Sequence, residues 1–399
     1  MSMVDSKSLS YKLLAGSVEC FSEGRCYPIF DDIIVDFFVE CSRHIRSNSF
    51  CKQFPDLITF AFFCRKASLN KASQFYCSAG KRVGWGRSVH IAPSNVPINM
   101  AYTLFFGMIS GNKCLIRAPS KDFPQLSLLY EIMKSISSKT HFKTIKDRFC
   151  IIQCPHESDF LIWSLGVAES RVVWGGDSTV QAIRSHTARA SAVELGFPDR
   201  TSICMLDALH INRLSDLDLD ILSDKFFNDS LLVDQNACSS PSQVFWINSD
   251  GLDHAVDRFW RSVGDAELRN GPLGAKKYID KLTDIGKRVQ DFSAVKFREY
   301  GLGTTVEVAR DTCSKDKRRL GLYIEHHLEE LNQFLSFTSK KTQTLTYSGI
   351  DANLLRQLVI NSGELGIDRV VPIGQALDIG FVWDGKDILR SLSRQITVI

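Results

Sequence analysis

One cysteine in a segment of small polar residues is the strongest candidate nucleophile in this sequence. Cys238 lies in the segment DQNACSSP, directly before an apolar run that is typical of a strand. Small neighbours leave room for a substrate, and backbone N–H groups can lower the pKa of a thiol. Most of the other eleven cysteines lie in apolar segments, as Cys64 and Cys114 do. The pattern favours Cys238 for nucleophilic catalysis, with an inert buried thiol as the alternative.

Two more polar residues lie where their side chains could act on a reacting carbonyl. Asn95 lies between two prolines in PSNVP, after a predicted strand, and a rigidly held amide there can donate to an oxyanion. The same residue types are common in plain turns, which is the alternative. Glu194 lies in the apolar context VELG, where burial would raise its pKa toward that of a general base. A solvated or ion-paired glutamate is the alternative there.

The segment WGGDST connects a predicted strand with a predicted helix and is suited to phosphate binding. Gly175 and Gly176 let the backbone approach a phosphate, and the start of a helix favours negative charge. The segment does not match the GxGxxG pattern. A plain strand-to-helix turn, capped by Asp177 or Ser178, is therefore the alternative.

Metal-binding patterns are incomplete in this sequence. Cys150, Cys154 and His156 have metal-like spacing, but Cys150 belongs to an apolar segment and no fourth ligand is evident. The segment EHHLEE at residues 325–330 does not match the HExxH zinc pattern, and it predicts the exposed polar face of a helix. We therefore predict no metal site.

The candidate residues are spread along an alternation of short apolar segments and longer helical ones. Four such pairs between residues 88 and 184 predict a parallel sheet with helices on both faces. Sheets of this kind bind nucleotides at the carboxyl ends of their strands. After residue 199 the pattern is less regular but again mixes helices and strands. The predicted fold class is therefore α/β.

Length and composition narrow the class of protein. The 399 residues predict two or three domains, and 44% hydrophobic with 23% charged residues is ordinary for a globular chain. The net charge of +3 argues against a nucleic-acid partner or an acidic membrane surface. No apolar segment approaches the roughly 20 residues of a membrane span, and the polar N-terminus lacks the apolar core of a signal peptide. With 12 scattered cysteines, these features predict a cytoplasmic protein with free thiols.

Taken in order, these segments resemble the motifs of the aldehyde dehydrogenase superfamily. That superfamily carries a Pro-x-Asn-x-Pro turn, a Gly-Asn…Lys/Arg strand, a Gly-Ser/Thr nucleotide turn, a Glu-Leu-Gly motif and a catalytic cysteine. The finer match is to one branch, the acyl-CoA reductases resembling LuxC of bacterial bioluminescence, and it is looser between residues 250 and 316. The segments that carry it are FAFFCRK (60–66), HIAPSNVPIN (90–99), APSKDF (118–123), VWGGD (173–177), DQNACSSP (234–241), GIDRVVPIG (366–374) and FVWDGKDILRSLSR (381–394).

The resemblance implies an aldehyde dehydrogenase-like fold, with a Rossmann-like parallel-sheet cofactor domain and an α/β catalytic domain that contains Cys238. It also implies boundaries within the chain. These are a mostly helical N-terminal segment packing on the cofactor domain (1–80), the dinucleotide-binding domain (81–197), the catalytic domain (198–365) and a C-terminal segment that completes the site (366–399).

The resemblance further implies an enzyme, an acyl-CoA reductase, and roles for the candidate residues. Cys238 as thiolate attacks an acyl thioester, the Asn95 amide and the Cys238 backbone N–H hold the oxyanion, and a reduced nicotinamide converts the thioacyl group to an aldehyde. Glu194 assists Cys238 or moves a proton, whereas in a hydrolytic aldehyde dehydrogenase it would activate water. The implied cofactor-binding residues are Arg117, Ser120, Lys121, Trp174, Gly175, Gly176 and Ser178.

NADPH is the implied cofactor, because Arg117 and Lys121 are suited to a 2′-phosphate, and NADH is the alternative. The implied partners are an acyl-CoA or acyl-protein substrate, an acyl-protein synthetase and further copies of the same chain. Two other functions stay open. One is a hydrolytic NAD(P)-dependent aldehyde dehydrogenase, and the other is a non-catalytic scaffold subunit on which Cys238 only carries the acyl group.

Overall fold

Two units with separate sheets make up the chain. The computed structural model describes residues 11–78, 80–291, 296–308 and 318–397. One unit combines Met1–Pro198 with Phe381–Ile399, and the other is Asp199–Gly380. The N-terminal helices therefore belong to the same unit as the first sheet. Each unit combines helices with a mostly parallel sheet, so the α/β class predicted from the sequence is confirmed.

The strands of the first unit form where the sequence has short apolar runs, because parallel strands are buried on both faces. Every residue of the strand at Lys113–Arg117 is buried, for example. The strands before Pro198 are β1 (Lys12–Gly16), β2 (Arg82–Gly84), β3 (Arg87–Ile91), β4 (Lys113–Arg117), β5 (Phe149–Gln153), β6 (Ser170–Trp174) and β7 (Val193–Phe197).

The order of the main sheet reverses at β3. The order is β1-β5-β4-β3-β6-β7, and the edge strand β1 alone among these runs antiparallel to its neighbour. The chain adds β4 and β5 on one side of β3, then β6 and β7 on the other. The loops after β3 and β6 therefore leave from the carboxyl ends of adjacent strands, the place where open α/β sheets bind ligands.

Helices cover this sheet, and the helix after β3 is buried on every face from Met100 to Ile109. The helix at Asn99–Ile109 reads NMAYTLFFGMI, and its Phe105 ring meets Phe38 of the first helix edge to face at 5.0 Å. Packing of this kind ties the N-terminal helices to the sheet. The helices before Pro198 are α1 (Asp32–Ser47), α2 (Pro55–Phe63), α3 (Lys66–Cys77), α4 (Asn99–Ile109), α5 (Pro124–Ser137), α6 (Asp159–Val167) and α7 (Asp177–Ser185).

The second unit repeats the architecture with a larger sheet. Its strands are β8 (Thr201–Asp207), β9 (Pro241–Ile247), β10 (Lys296–Gly301), β11 (Thr304–Val308), β12 (Leu322–His327), β13 (Thr342–Ser348) and β14 (Arg369–Pro372). Their order is β10-β11-β12-β9-β8-β13-β14, and β10 pairs antiparallel with β11. The helices are α8 (Ala208–Arg213), α9 (Asp216–Asp229), α10 (Leu252–Asn270), α11 (Ala275–Asp291) and α12 (Ala352–Ser362).

The expectation of an exposed helix at residues 325–330 is wrong. The segment begins in strand β12, which lies between β9 and β11, and Glu325 and His326 are buried there. The Glu325 carboxylate accepts hydrogen bonds from the indole N–H groups of Trp246 (3.2 Å) and Trp260 (2.7 Å). Charged residues tolerate burial when they are paired in this way, and the partners are too distant in sequence for a local pattern to reveal.

The C-terminal segment that the sequence delimits at residues 366–399 is divided between the units. Strand β14 pairs with β13 of the second sheet. The chain after Gly380 returns to the first unit, where its last strand pairs antiparallel with β2. The elements of this return are β15 (Val382–Trp383), β16 (Lys386–Asp387), α13 (Ile388–Ser391) and β17 (Ser393–Gln395). Over the described part of the chain, no helix has the length and apolar character of a membrane span.

Candidate active site

A buried glutamine supports the loop that carries Cys238. The Gln235 side chain is fully buried, and its amide oxygen accepts a hydrogen bond from the backbone N–H of Gly321 (2.7 Å). Its amide nitrogen donates to the carbonyl oxygens of Pro241 (3.1 Å) and Leu322 (3.3 Å). One side chain therefore satisfies three backbone groups at the base of the loop. Leaving such groups buried and unpaired would lower the stability of the folded loop.

Backbone strain and two further contacts complete this loop. Asp234 and Gln235 have φ angles of 54° and 55°, in the left-handed region that is unfavourable for residues other than glycine. Lys277 of α11 forms an ion pair with the Asp234 carboxylate at 2.8 Å. Ser202 of β8 donates to the carbonyl oxygen of Cys238 at 2.8 Å. Cys238 therefore lies on a turn that the surrounding residues hold in place.

Exposure separates Cys238 from most of the described cysteines. All eleven described cysteines are free and eight of them are buried, whereas Cys238 is only partly buried. Burial raises the pKa of the Cys114 thiol above its usual range and that of Cys204 to about 12, so both stay protonated at neutral pH. Among the described cysteines, the residues that are not buried are Cys26, Cys77 and Cys238.

A buried carboxylate ties a C-terminal turn to the helix that leads into the Cys238 loop. Asp229 ends α9, and its carboxylate accepts hydrogen bonds from the backbone N–H groups of Gly374 (2.6 Å) and Ala376 (2.9 Å). Arg369 donates to the carbonyl oxygen of Ala376 at 2.9 Å and so holds the same turn. Burial raises the pKa of Asp229 to about 7, although the two backbone hydrogen bonds oppose this.

Replacing Asp229 by asparagine is expected to remove a pH-dependent contribution to stability. A carboxyl whose pKa is raised on folding binds more protons in the native than in the unfolded protein between about pH 4 and pH 7. This contribution to the free energy of unfolding is therefore present at low pH and lost as pH rises through 7. We expect the difference in that free energy between wild type and Asp229→Asn to change by roughly 2–4 kcal/mol between pH 4 and pH 8. Urea denaturation at both pH values measures it.

The matched control is Asp224→Asn. Asp224 lies on the same helix, but it is half-buried and forms an ion pair with Arg269 at 3.0 Å. We expect this variant to keep the pH dependence of the wild type. An Asp229→Asn protein whose stability followed the same pH dependence as the wild type would contradict the assignment.

The carboxyl edge of the first sheet brings several predicted cofactor residues together. The strand ends are level there, because Ile91 of β3 is in register with Arg117 of β4 and Val173 of β6. The loop with Asn95, which is exposed, leaves β3, and Gly175 follows β6. These segments are widely separated in sequence, and the parallel register places them at one edge.

Aromatic stacking fixes the turn after β6. The Trp174 ring stacks on Phe197, with centroids 3.9 Å apart and planes at 15°. The Gly175 N–H donates to the Phe197 carbonyl oxygen at 3.2 Å. Lys386, from the C-terminal return, donates to the carbonyl oxygen of Gly196 at 2.5 Å, and its Nζ lies 5.1 Å from the Phe197 centroid. The turn is therefore tied to the end of β7 and to the hairpin of β15 and β16.

The start of α7 has the features of an anion site. Gly176 is the N-cap and provides no side-chain cap, so the first N–H groups of the helix are suited to a negative charge. A Cβ on Gly175 would lie 3.1 Å from the Thr179 side chain, so this tight turn favours glycine. Ser178 is exposed in the first turn of the helix. These residues stay the predicted site for dinucleotide phosphates, and the Asp177 side chain adds a negative charge in the same first turn.

A buried polar chain leads to Trp174. Ser170 donates to the Ser88 hydroxyl (2.8 Å), and Ser88 contacts His90 Nε2 (2.8 Å). His90 Nδ1 contacts the Thr103 hydroxyl (2.7 Å), which also accepts from the Trp174 indole N–H (3.0 Å). Burial lowers the pKa of His90 to about 3, so its ring is neutral at physiological pH. A satisfied network of this kind fixes the orientation of the indole.

The two predicted phosphate-binding cations differ in their surroundings. Arg117 is buried and donates to the carbonyl oxygen of Cys154 (3.2 Å) and to the Ser120 hydroxyl (3.2 Å). Burial lowers the pKa of the guanidinium. Lys121 is exposed, with its Nζ 5.3 Å from the Phe123 ring centroid. Arg117 therefore shapes the loop after β4, and Lys121 is the cation of the two that faces solvent.

Glu194 is paired rather than isolated. It lies on β7, and its carboxylate accepts a hydrogen bond from Arg184 Nε of α7 at 2.5 Å. This is the ion-paired arrangement that the sequence leaves as the alternative. The carboxylate does not lie alone in an apolar pocket, the setting on which its prediction as a general base depends.

Several supporting residues were missed by the sequence analysis. Gln235 stands inside the quoted DQNACSSP segment, where a large polar side chain among small residues is a signal that could have identified it. Phe197 directly follows the Glu-Leu-Gly motif. Ser202, Thr103 and Lys386 carry no such signal, because their partners lie far away in sequence.

Solved structures share the fold of this chain. A variant of 1-pyrroline-5-carboxylate dehydrogenase from Thermus thermophilus matches with a TM-score of 0.66, covering 96% of this chain and 83% of its own, at 12% identity. Lactaldehyde dehydrogenase from Escherichia coli matches with a TM-score of 0.63, covering 90% and 85%, at 11% identity. The chain therefore has the aldehyde dehydrogenase-like fold that its motifs predict.

Sequence relatives define the family more narrowly. The family model described as acyl-CoA reductase (LuxC) matches residues 56–289, more than half of the chain, and the chain belongs to this family. Long-chain acyl-protein thioester reductases from Aliivibrio fischeri and Photobacterium phosphoreum are similar, at 20% identity over 312 residues and 22% over 321 residues. The alignments cover 73% and 78% of this chain but 61% and 62% of those proteins. The chain thus spans about three fifths of their length, and the resemblance inferred from its motifs is confirmed.

Proposed function

We propose that this chain reduces an acyl thioester to an aldehyde, with NADPH as reductant and a thioacyl intermediate on Cys238. The observation that carries the proposal is the Cys238 loop. It presents a partly exposed cysteine on a turn held by Gln235, Ser202 and an ion pair of Asp234. A nucleophile needs both access and fixed orientation, and this loop provides them.

The chemistry proceeds in two halves. The Cys238 thiolate attacks the carbonyl carbon, the bond from that carbon to the carrier sulfur breaks, and the carrier leaves as a thiol after taking a proton. When bound, NADPH supplies a hydride to the thioacyl carbon. With one further proton the thiohemiacetal forms, and its collapse breaks the carbon–sulfur bond, releases the aldehyde and a proton, and restores the thiolate. The sum is acyl thioester, NADPH and a proton giving aldehyde, thiol and NADP⁺.

The carboxyl edge of the first sheet is the proposed cofactor site. Gly175, Gly176 and Ser178 would hold the diphosphate at the start of α7. Lys121, the exposed cation after β4, would meet the 2′-phosphate that distinguishes NADPH from NADH. Arg117 would act indirectly, through its hydrogen bond to the Ser120 hydroxyl.

Two observations support the reductase over a hydrolytic dehydrogenase. The sequence relatives described above are named long-chain acyl-protein thioester reductases. The Glu194 carboxylate is engaged by Arg184, so it is not set up alone to activate water. We therefore propose a long-chain acyl group on a protein or on CoA as substrate, and an acyl-protein synthetase as the enzyme that supplies it. The oxyanion role of Asn95 stays a prediction.

Aldehyde formation tests the proposal directly. Purified protein is mixed with acyl-CoAs from acetyl to palmitoyl, or with an acylated carrier protein, and either NADPH or NADH. We expect aldehyde, trapped as its hydrazone, in equimolar amount to the NADPH consumed, with long chains and NADPH preferred. The reverse reaction, with aldehyde and NADP⁺, should require a thiol acceptor. Formation of free acid from aldehyde without any thiol would overturn the proposal in favour of the hydrolytic enzyme.

A further inference from the structure

A lysine of the C-terminal return covers the carboxyl end of β7. Lys386 lies on β16, in the short hairpin that β15 and β16 form, and it is half-buried. Its Nζ donates to the carbonyl oxygen of Gly196 at 2.5 Å and lies 5.1 Å from the centroid of the Phe197 ring. A carbonyl oxygen and an aromatic face both attract a cation. The ammonium group is therefore held against the end of the sheet.

The order of the strands gives the proposed dinucleotide a direction. Along the carboxyl edge the strands follow one another as β4, β3, β6 and β7. Under the proposed function, Lys121 after β4 meets the 2′-phosphate and Gly176 after β6 meets the diphosphate. The diphosphate joins the two halves of the cofactor, so the nicotinamide half continues beyond β6. The next strand in that direction is β7, whose Phe197 is level with Trp174 of β6.

We propose that Lys386 stands at the nicotinamide end of the cofactor site and makes this site prefer the reduced cofactor over the oxidised one. The inference rests on the proposed function, which supplies the cofactor. The oxidised nicotinamide ring carries a positive charge, whereas the reduced ring is neutral. Like charges repel, most strongly where little water lies between them. A fixed ammonium group therefore weakens the binding of NADP⁺ more than that of NADPH.

The acidic residues of this edge give the lysine its weight. Glu194 on β7 is paired with Arg184 at 2.5 Å, so its charge is already offset. Asp177, in the first turn of α7, brings a further negative charge to the same edge of the sheet. Removal of the Lys386 charge would shift the electrostatic balance toward the Asp177 carboxylate. The oxidised ring, which is positively charged, would then bind more tightly.

Such a preference suits an enzyme that works as a reductase. The oxidised cofactor must leave at the end of each turnover before a reduced one can bind. Differences in affinity between related complexes lie mostly in the rate of dissociation, so weaker binding of NADP⁺ means faster release. Lys386 leaves the overall equilibrium of the reaction unchanged and acts on the relative affinities of the two cofactor forms.

Dissociation constants of the two cofactor forms test the proposal without any turnover. Isothermal titration calorimetry with NADPH and with NADP⁺ gives the ratio of the NADP⁺ constant to the NADPH constant. In Lys386→Met, which keeps an apolar stem but removes the charge, we expect this ratio to fall at least about fivefold. In Lys386→Arg, which keeps the charge, the ratio should stay close to that of the wild type. Looser packing of the hairpin alone would weaken both forms equally and leave the ratio unchanged.

Lys121→Met is the matched control. The 2′-phosphate is present in both cofactor forms, so this variant should weaken NADPH and NADP⁺ alike and keep their ratio. If the wild type binds both forms, an unchanged ratio in Lys386→Met, or an equal fall in Lys386→Arg, would overturn this inference and leave the proposed function intact. A wild type that binds no nicotinamide dinucleotide would overturn the proposed function, and this inference with it.

Discussion

Cys238→Ala is expected to lower the rate of aldehyde formation by at least about 10³-fold, because the proposed thioacyl intermediate forms on the thiol that this substitution removes. The variant should fold normally, since Cys238 is only partly buried and its carbonyl, not its thiol, bonds to Ser202. Intact-mass analysis after mixing with an acyl thioester, without reductant, should show one acyl adduct on the wild type and none on the variant.

Cys26→Ala is the matched control, because Cys26 is the other partly buried cysteine among those described. It should keep full activity and the acyl adduct. Two results would contradict the assignment of Cys238: aldehyde formation by Cys238→Ala at the wild-type rate, or an adduct that survives that substitution. An adduct on the wild type without aldehyde under any cofactor would favour the acyl-carrying scaffold.

Glu325→Ala is expected to lower the free energy of unfolding of the second unit by about 3–5 kcal/mol, because it leaves buried partners of the carboxylate unpaired. The buried partners are the indole N–H groups of Trp246 and Trp260, and the half-buried Arg298 and exposed His327 also contact the carboxylate. Burial opposes ionisation of Glu325, but the hydrogen bonds and the charge of Arg298 outweigh it and lower the pKa. Urea denaturation followed by tryptophan fluorescence measures the effect.

Two variants complete this test. Glu325→Gln keeps an acceptor for the indoles but removes the charge facing Arg298. Its loss of unfolding free energy should therefore lie between zero and the loss caused by Glu325→Ala. Glu329→Ala, at an exposed position of the same EHHLEE segment, should change stability by less than about 0.5 kcal/mol. Equal effects of Glu325→Ala and Glu329→Ala would mean that the buried network contributes nothing to stability.

The sequence alone determined the fold class and the family. Hydrophobic runs at strand length, alternating with helical stretches, are local features, and they predicted the parallel sheet around β3 to β6. The order of the motifs identified the family, because each motif is a short contiguous segment whose chemistry can be interpreted in isolation. Cys238 was singled out in this way, from the small polar residues that surround it in DQNACSSP.

The tertiary structure decided which polar groups are paired, and so what each can do. Glu325 was expected to be exposed and is buried. For Glu194 the sequence left a general base and an ion-paired residue open, and the structure pairs it with Arg184, ten residues away. Gln235 holds the Cys238 loop through Gly321, and residues 366–399 are divided between two units by strand pairing. Burial and ion pairing depend on groups brought together from distant parts of the chain, so a local sequence pattern cannot predict them.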